Sequence, residues 1–264
     1  MTRYLKPIIR PLFALALMLA SWPYSATGQE ETQEVITVAP PVNITVITYN
    51  LHHCEGVDGV YDVKRIAGFM RQLGADIVLC QEVDREYSDR SRMERQPEML
   101  AEALGFHMFY GPNIGNTYGN LILSRYSIVS AENIPLPNPD DREPRGLIAA
   151  VIDVEGRPVT MLNTHLCAFS PANREAQVAF LRAYVEKLDG PVIFGADFNT
   201  RPSQQLKLLL DGGLLTSARA DVLGLSEGID DILVSEGLRM RVQRGAVVEN
   251  VYSDHPAFWI EVGI

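Results

Sequence analysis

Six short apolar runs bordered by polar residues constrain this chain more than any other feature: ITVITYN (44–50), DIVLCQE (76–82), TMLNTH (160–165), PVIFGADFN (191–199), IDDILVS (229–235) and SDHPAFW (253–259). A run of about four to six residues rich in Val, Ile and Leu reads as a buried strand, so the polar residue at its end stands at the rim of a sheet. Asn50, Glu82, His165, Asp197, Asn199, Asp230, Asp254 and His255 would then gather at one rim. Carboxylates, amides and imidazoles in one place are what a hard divalent cation and a phosphate ester require. The pattern implies a metal-dependent phosphoesterase.

Residues 1–28 differ in kind from the rest. Arg3, Lys6 and Arg10 precede an apolar stretch from Leu12 to Ala20, and Ser25, Ala26, Thr27 and Gly28 follow, the order of a secretory signal peptide. The stretch is shorter than the about 20 residues of a comfortable membrane span, so export to the periplasm or the medium is expected, with an uncleaved N-terminal anchor as the alternative. Residues 29–42, with Glu30, Glu31, Glu34, Pro40 and Pro41, read as a polar tether, and 43–264 as one domain. The formal net charge is −10; because residues 1–28 carry three Lys/Arg and no Asp/Glu, the remainder carries −13. Such a surface repels a polyanion on average, which makes long nucleic acid the weaker substrate expectation. Arg85, Arg90, Arg92 and Arg95 interleave with Asp84, Glu86, Asp89 and Glu94 and read as a solvated charged loop.

Helical periodicity is expected from about Asp62 to Leu73, with Asp62 as N-cap and Gly74 as stop, near 96–104 closed by Gly105, from Pro171 to Lys187, and near 203–210. Residues 120–164 hold only strand-like runs, with Gly156-Arg157-Pro158 as a hairpin turn. Consecutive strands need antiparallel pairing, which excludes a purely parallel sheet and favours two mixed sheets packed face to face with helices outside. Cys80 reads as a buried hydrophobe, while Cys54 and Cys167 are a possible pair at the rim.

TYN, QEVD, GNLILSRY, NTHL, GADFN, IDDILVS and SDHP, in this order, resemble the endonuclease/exonuclease/phosphatase superfamily over about residues 43–263. The stretch NLHHCEGVDGVYDVKRIA is also similar to a bacterial branch of metal-dependent hydrolases. The resemblance implies an α/β (α+β) four-layer αββα sandwich of two mixed β-sheets and Mg2+- or Mn2+-dependent hydrolysis of a phosphate ester. The expected substrate is a phosphodiester, small or lipid-derived. A secreted nuclease and a catalytically silent binding module are the alternatives, no obligate protein partner is indicated, and the chain is expected to act as a monomer.

Within that resemblance Glu82 is the first metal ligand, with Asn50 beside the same ion and Asp254 as a further carboxylate at or behind it. Asp197 accepts a proton from the attacking water or orients it, and Asn199 donates to a phosphate oxygen, both on one face if the strand persists through them; a structural Asx-turn is the alternative. His255 is the other candidate base, oriented by Asp230 rather than Asp231, and His165 stabilises charge on the phosphate. Asn120, Arg145 and Arg174 are candidate substrate contacts, and His52 is a possible pocket residue with His53 facing away.

Overall fold

The computed structural model describes residues 40–225 and 227–264. The expected export segment and all but the last three residues of the tether lie outside these. In chain order the elements are β1 (Asn43–Asn50), α1 (Val63–Gln72), β2 (Ile77–Asp84), α2 (Gln96–Leu104), β3 (His107–Ile114), β4 (Tyr118–Ser124), β5 (Ser127–Pro135), β6 (Gly146–Val154), β7 (Arg157–His165), α3 (Pro171–Val185), β8 (Val192–Asp197), α4 (Lys207–Leu210), β9 (Leu215–Ser217), α5 (Ala218–Leu223), β10 (Asp230–Ser235), α6 (Glu236–Arg239), β11 (Val242–Val248) and β12 (Ala257–Gly263).

Two six-stranded sheets result, ordered β11-β12-β1-β2-β4-β3 and β5-β6-β7-β8-β10-β9. Each has a single parallel pair near its middle, β1/β2 in one and β7/β8 in the other. A helix makes each parallel crossover, α1 in the first sheet and α3 in the second, as a parallel connection requires. All other neighbours are antiparallel.

Strand alternation builds the layers. Ile44 and Val46 of β1, Ile77 and Leu79 of β2, Met161 of β7, Ile193 of β8 and Ile232 of β10 fill the space between the sheets. Ile47, Tyr49, Val78 and Cys80 point the other way, onto Ile66, Phe69 and Met70 of α1. Leu162, Phe194, Ala196 and Leu233 face Val178, Leu181 and Val185 of α3. This is the αββα sandwich. The sheets approach closely at Gly195, where a Cβ would stand 2.6 Å from Leu79 Cδ1 and 3.1 Å from Thr48 Cβ.

The helix starts follow the expected capping chemistry. The Asp62 carboxylate accepts from the Lys64 and Arg65 N–H groups, and the Ser170 hydroxyl accepts from Asn173 N–H. Three local expectations shift. The β6–β7 turn is Glu155-Gly156, at φ 52° and 82°, and Pro158 sits inside β7 opposite Asp153; both central residues of this two-residue turn have positive φ, which Gly adopts freely and Pro cannot. The helix near 203–210 shortens to Lys207–Leu210. Cys54 is buried beneath α1 and Cys167 against Asn173 and Gln177 of α3, in opposite outer layers, and all three cysteines are free.

Candidate active site

The C-terminal ends of the four central strands open on one pocket of about 320 Å³, lined by Glu82, Tyr87, Arg90, Tyr118, Glu143, Arg145, His165, Ala168, Phe169, Asp197, Asn199 and His255. Its floor is polar and crosses between the sheets. Gln81 Nε2 donates to Asn163 Oδ1 at 2.9 Å and to Thr48 Oγ1 at 3.2 Å, while Asn163 Nδ2 donates to the Cys80 and Leu121 carbonyls, both at 2.9 Å. These fully buried amides tie β2 and β4 to β7 directly under the site.

Strand parity alone would send Glu82 the wrong way, because Ile77, Leu79 and Gln81 already face the other sheet. A β-bulge corrects this. Cys80 pairs with Leu121 and Val83 with Gly119, so Gln81 and Glu82 together oppose Asn120. Glu82 adopts φ 55°, a left-handed conformation that costs a non-Gly residue roughly 1–2 kcal/mol. Its carboxylate is thereby brought to Asn50, whose Nδ2 donates to Glu82 Oε1 at 3.0 Å and to Asp197 Oδ2 at 3.1 Å. Asn50 is itself held by a turn in which His52, His53 and Cys54 all have positive φ, with His52 N–H donating to Asn50 Oδ1 at 3.0 Å. The amide nitrogen, a donor, is therefore the end that faces the carboxylates.

His165 and Asp197 reach the pocket without distortion, paired across the parallel β7/β8 register. His165 Nε2 lies 3.3 Å from Asp197 Oδ2, and its Nδ1 is 3.0 Å from Arg145 Nη1, which also meets Glu143 at 2.9 Å. Burial, with the charges of Arg145 and His255, holds the His165 imidazole well below its ordinary range. Arginine can only donate, so the neutral ring accepts at Nδ1 and carries its proton on Nε2. β8 ends at Asp197: Asn199 has φ 48°, takes Asp197 Oδ1 through its N–H at 3.0 Å, and donates its side-chain amide to Leu166 O. The strand does not persist, and the segment is an Asx-turn that leaves Asp197 Oδ2 free for Asn50 and the two imidazoles.

His255 Nδ1 lies 2.9 and 3.1 Å from the two Asp230 oxygens, and its Nε2 is 3.7 Å from Asp197 Oδ2. Asp231 faces the other side of β10 and is taken by Ser217, Arg219 N–H and Ile232 N–H, so Asp230 is the imidazole's partner. Burial works against a charged His255, but the hydrogen bond and charge of Asp230, with Asp197 and Asp254, outweigh it and raise the group to about 9. Burial and the Asp230 charge push Asp197 up to about 7, against the pull of His255 and of the Asn199 and Asn50 donors. One oxygen or nitrogen from each of Asp197, Asp230 and His255 fits within 4.8 Å of the others.

Three expected site residues are placed elsewhere. Arg174 donates to the Cys167 and Ala168 carbonyls and does not line the pocket. Asp254 is exposed, its carboxylate 3.4 Å from its neighbour Ser253 Oγ, and Asn120 is buried below the pocket, donating to Gly146 O at 3.3 Å. His52 is also absent from the pocket lining. Sequence reasoning missed Arg90, Tyr118 and Asp84. Asp84 is fully buried and bound by both Arg90 Nε (2.8 Å) and Nη2 (2.7 Å). The only sequence signal was an acid at the end of an apolar run, six residues before an arginine.

The family model described as "Endonuclease/Exonuclease/phosphatase family" matches residues 47–255, a span that includes every strand end of this pocket. The chain belongs to that family. Solved relatives agree in fold. An endonuclease/exonuclease/phosphatase family protein of Bacteroides thetaiotaomicron is 18% identical with a TM-score of 0.72, over 86% of this chain and 99% of that one. A mannosyl-6-phosphatase of the same organism is 17% identical with a TM-score of 0.70 over 83% and 99%, and a humanised D. rerio TDP2 is 18% identical with a TM-score of 0.67 over 83% and 98%. The family's members are hydrolases of phosphoesters, so the chain is a hydrolase of that superfamily.

Proposed function

We propose that this protein is an exported, metal-dependent phosphodiesterase acting on a small or lipid-derived ester. The observation that carries the reading is the convergence of Glu82, His165, Asp197 and His255 on one pocket. The donors suit Mg2+ or Mn2+: hard carboxylate oxygens of Glu82 and Asp197 share one amide. Glu82 would hold the ion, with the Asn50 amide and the Asp197 carboxylate beside it. When bound, it supplies charge neutralisation at phosphate oxygens and activation of water.

The protein's own groups divide the remaining work. Asp197 Oδ2, buried and titrating near neutrality, orients the attacking water and receives its proton. His255, charged at neutral pH and fixed by Asp230, donates to the phosphate or to the departing oxygen. His165 offers Nε2–H, its tautomer set by Arg145. Asn199 anchors the loop that carries Asp197. Phe169, 84% exposed on the pocket's edge, supports an apolar group beside the phosphate. Export is supported by the basic, apolar and small-residue order of 1–28, and the charge of the chain favours a small ester over long nucleic acid.

The test is hydrolysis by the chain from residue 29 of a small diester, a monoester, a phospholipid and plasmid DNA, with Mg2+ or EDTA. Metal-dependent cleavage of a small diester or lipid, lost in Asp197→Ala and His255→Ala, is expected. Plasmid nicking would replace the reading with a nuclease, and wild-type turnover no better than Asp197→Ala would leave a binding module.

A further inference from the structure

Arg90 is tied down more firmly than a counter-ion needs to be. Its Nε and Nη2 neutralise the buried Asp84 side-on, and the guanidinium lies over the rings of Tyr87 and Tyr118, 4.5 and 5.5 Å from their centroids. Its loop is fixed as well: Arg85 N–H donates to Thr117 O, Glu86 N–H to Glu94 O, and the Arg85 guanidinium pairs with Glu98. A lysine would satisfy Asp84's charge, but only an arginine can do so and still present a third nitrogen in a set direction. That nitrogen, Nη1, donates to nothing among the described residues, and Arg90 lines the pocket with Arg145 and His165.

We propose, resting on the phosphodiesterase reading, that Arg90 Nη1 forms a subsite for a second anionic group on the substrate, a carboxylate or phosphate carried beyond the scissile phosphate. Arg145 is engaged by Glu143 and His165 and so serves the phosphate itself, whereas Arg90 meets the organic arm. The guanidinium is already immobilised, so a ligand oxygen gains charge-assisted hydrogen bonds without ordering a flexible side chain. At about 320 Å³ the pocket has room for a small acidic ester. Glu82, Glu143 and Asp197 also face the pocket. The acid group must therefore approach on the Tyr87–Arg90 wall, away from them.

The experiment compares diphenyl phosphate with bis(4-carboxyphenyl) phosphate, symmetric so that the carboxylate is present on whichever arm faces Arg90. Wild type and Arg90→Lys are assayed with Mg2+, and thermal melting checks that the variant is folded. The readout is the ratio of kcat/KM for the two esters, in which their intrinsic reactivities cancel between wild type and variant. Arg90→Lys is expected to lower that ratio at least about tenfold, the loss of a hydrogen bond to a charged group. The ratio of Kd values for the same two esters is read in parallel on Asp197→Ala with and without Arg90→Lys, so the subsite is judged even if wild type cleaves neither ester, an outcome that would instead defeat the hydrolysis reading. An unchanged ratio, or equal losses on both esters, would overturn the proposal and leave Arg90 as the counter-ion of Asp84.

Discussion

The two parallel strand pairs at the centre of the sheets have the same local topology and end at the same pocket, yet they deliver their side chains by different means. β7 and β8 bring His165 and Asp197 to the site in regular register. β1 and β2 bring Asn50 and Glu82 there only through a left-handed turn after one strand and a bulge inside the other. The regular pair supplies buried, tautomer-fixed proton-handling groups. The distorted pair supplies a carboxylate more exposed than Asp197, and with it a more accessible oxygen donor for a cation. Left-handed backbone thus enters β2 itself, at Glu82, where a ligand has to be aimed out of its natural parity, whereas in β7 and β8 it waits until the turn beyond Asp197, at Asn199.

Variants at the two strand ends should separate these contributions. Asp197→Ala removes the proton acceptor and half of the Asn50 clamp, and kcat/KM for a diester should fall by about 10³-fold or more, measured at saturating Mg2+; a loss that high Mg2+ reverses would instead give Asp197 a purely metal-holding role. Glu82→Gln should cost on the order of 100-fold at low Mg2+, with substantial recovery as the metal is raised, read from activity against metal concentration. If Glu82→Gln responded to metal no differently from Asp197→Ala, the division between the strand pairs would collapse.

The buried floor that joins the halves gives the next effect. Asn163→Leu withdraws a buried donor from the Cys80 and Leu121 carbonyls and one of the acceptors of Gln81 Nε2, which keeps Thr48 Oγ1 and Leu79 O, and urea denaturation should show a loss of about 1–3 kcal/mol, the cost of an unsatisfied buried group. His255 tests the electrostatics in metal-free protein. Its folded value of about 9 lies above the ordinary 6.5, so its stabilisation is complete below 6.5 and lost as pH rises through 9. In EDTA, wild type should lose on the order of 2–3 kcal/mol more than His255→Gln between pH 6 and 9.5, because the buried Asp197 and Asp231, both pushed up to about 7, titrate in each protein. Parallel curves for the two would remove the Asp230–His255 pair as an electrostatic unit. Smallest should be Arg174→Ala, which leaves the pocket untouched and should change kcat/KM by less than about threefold.

The expected αββα architecture matches the two sheets and their helical layers because period-2 and helical patterns are local signals, and the buried strands are long enough to display them. Leu215–Ser217, Ala218–Leu223 and Glu236–Arg239 escaped, being too short to show a period. The candidate residues at strand ends were legible for a similar reason: a polar side chain closing an apolar run has few places to go but the rim. Arg90 was not legible, because in a row of alternating charges nothing local distinguishes the arginine that pairs with a buried acid from those that face water.

The residues by themselves determined which chemistry this chain can host: carboxylate, imidazole and amide groups at the ends of apolar strands, and the caps and turn residues that start and stop each element. Only the tertiary structure decided which of them meet. It turned Glu82 inward against its parity, seated Arg145 on His165, left Arg174 and Asp254 outside, and set Arg90 into the pocket wall. Those choices depend on a bulge, a left-handed turn and contacts between distant residues, such as Asn50 and Asp197, 147 positions apart. They follow from the packing of two sheets, which no local pattern encodes.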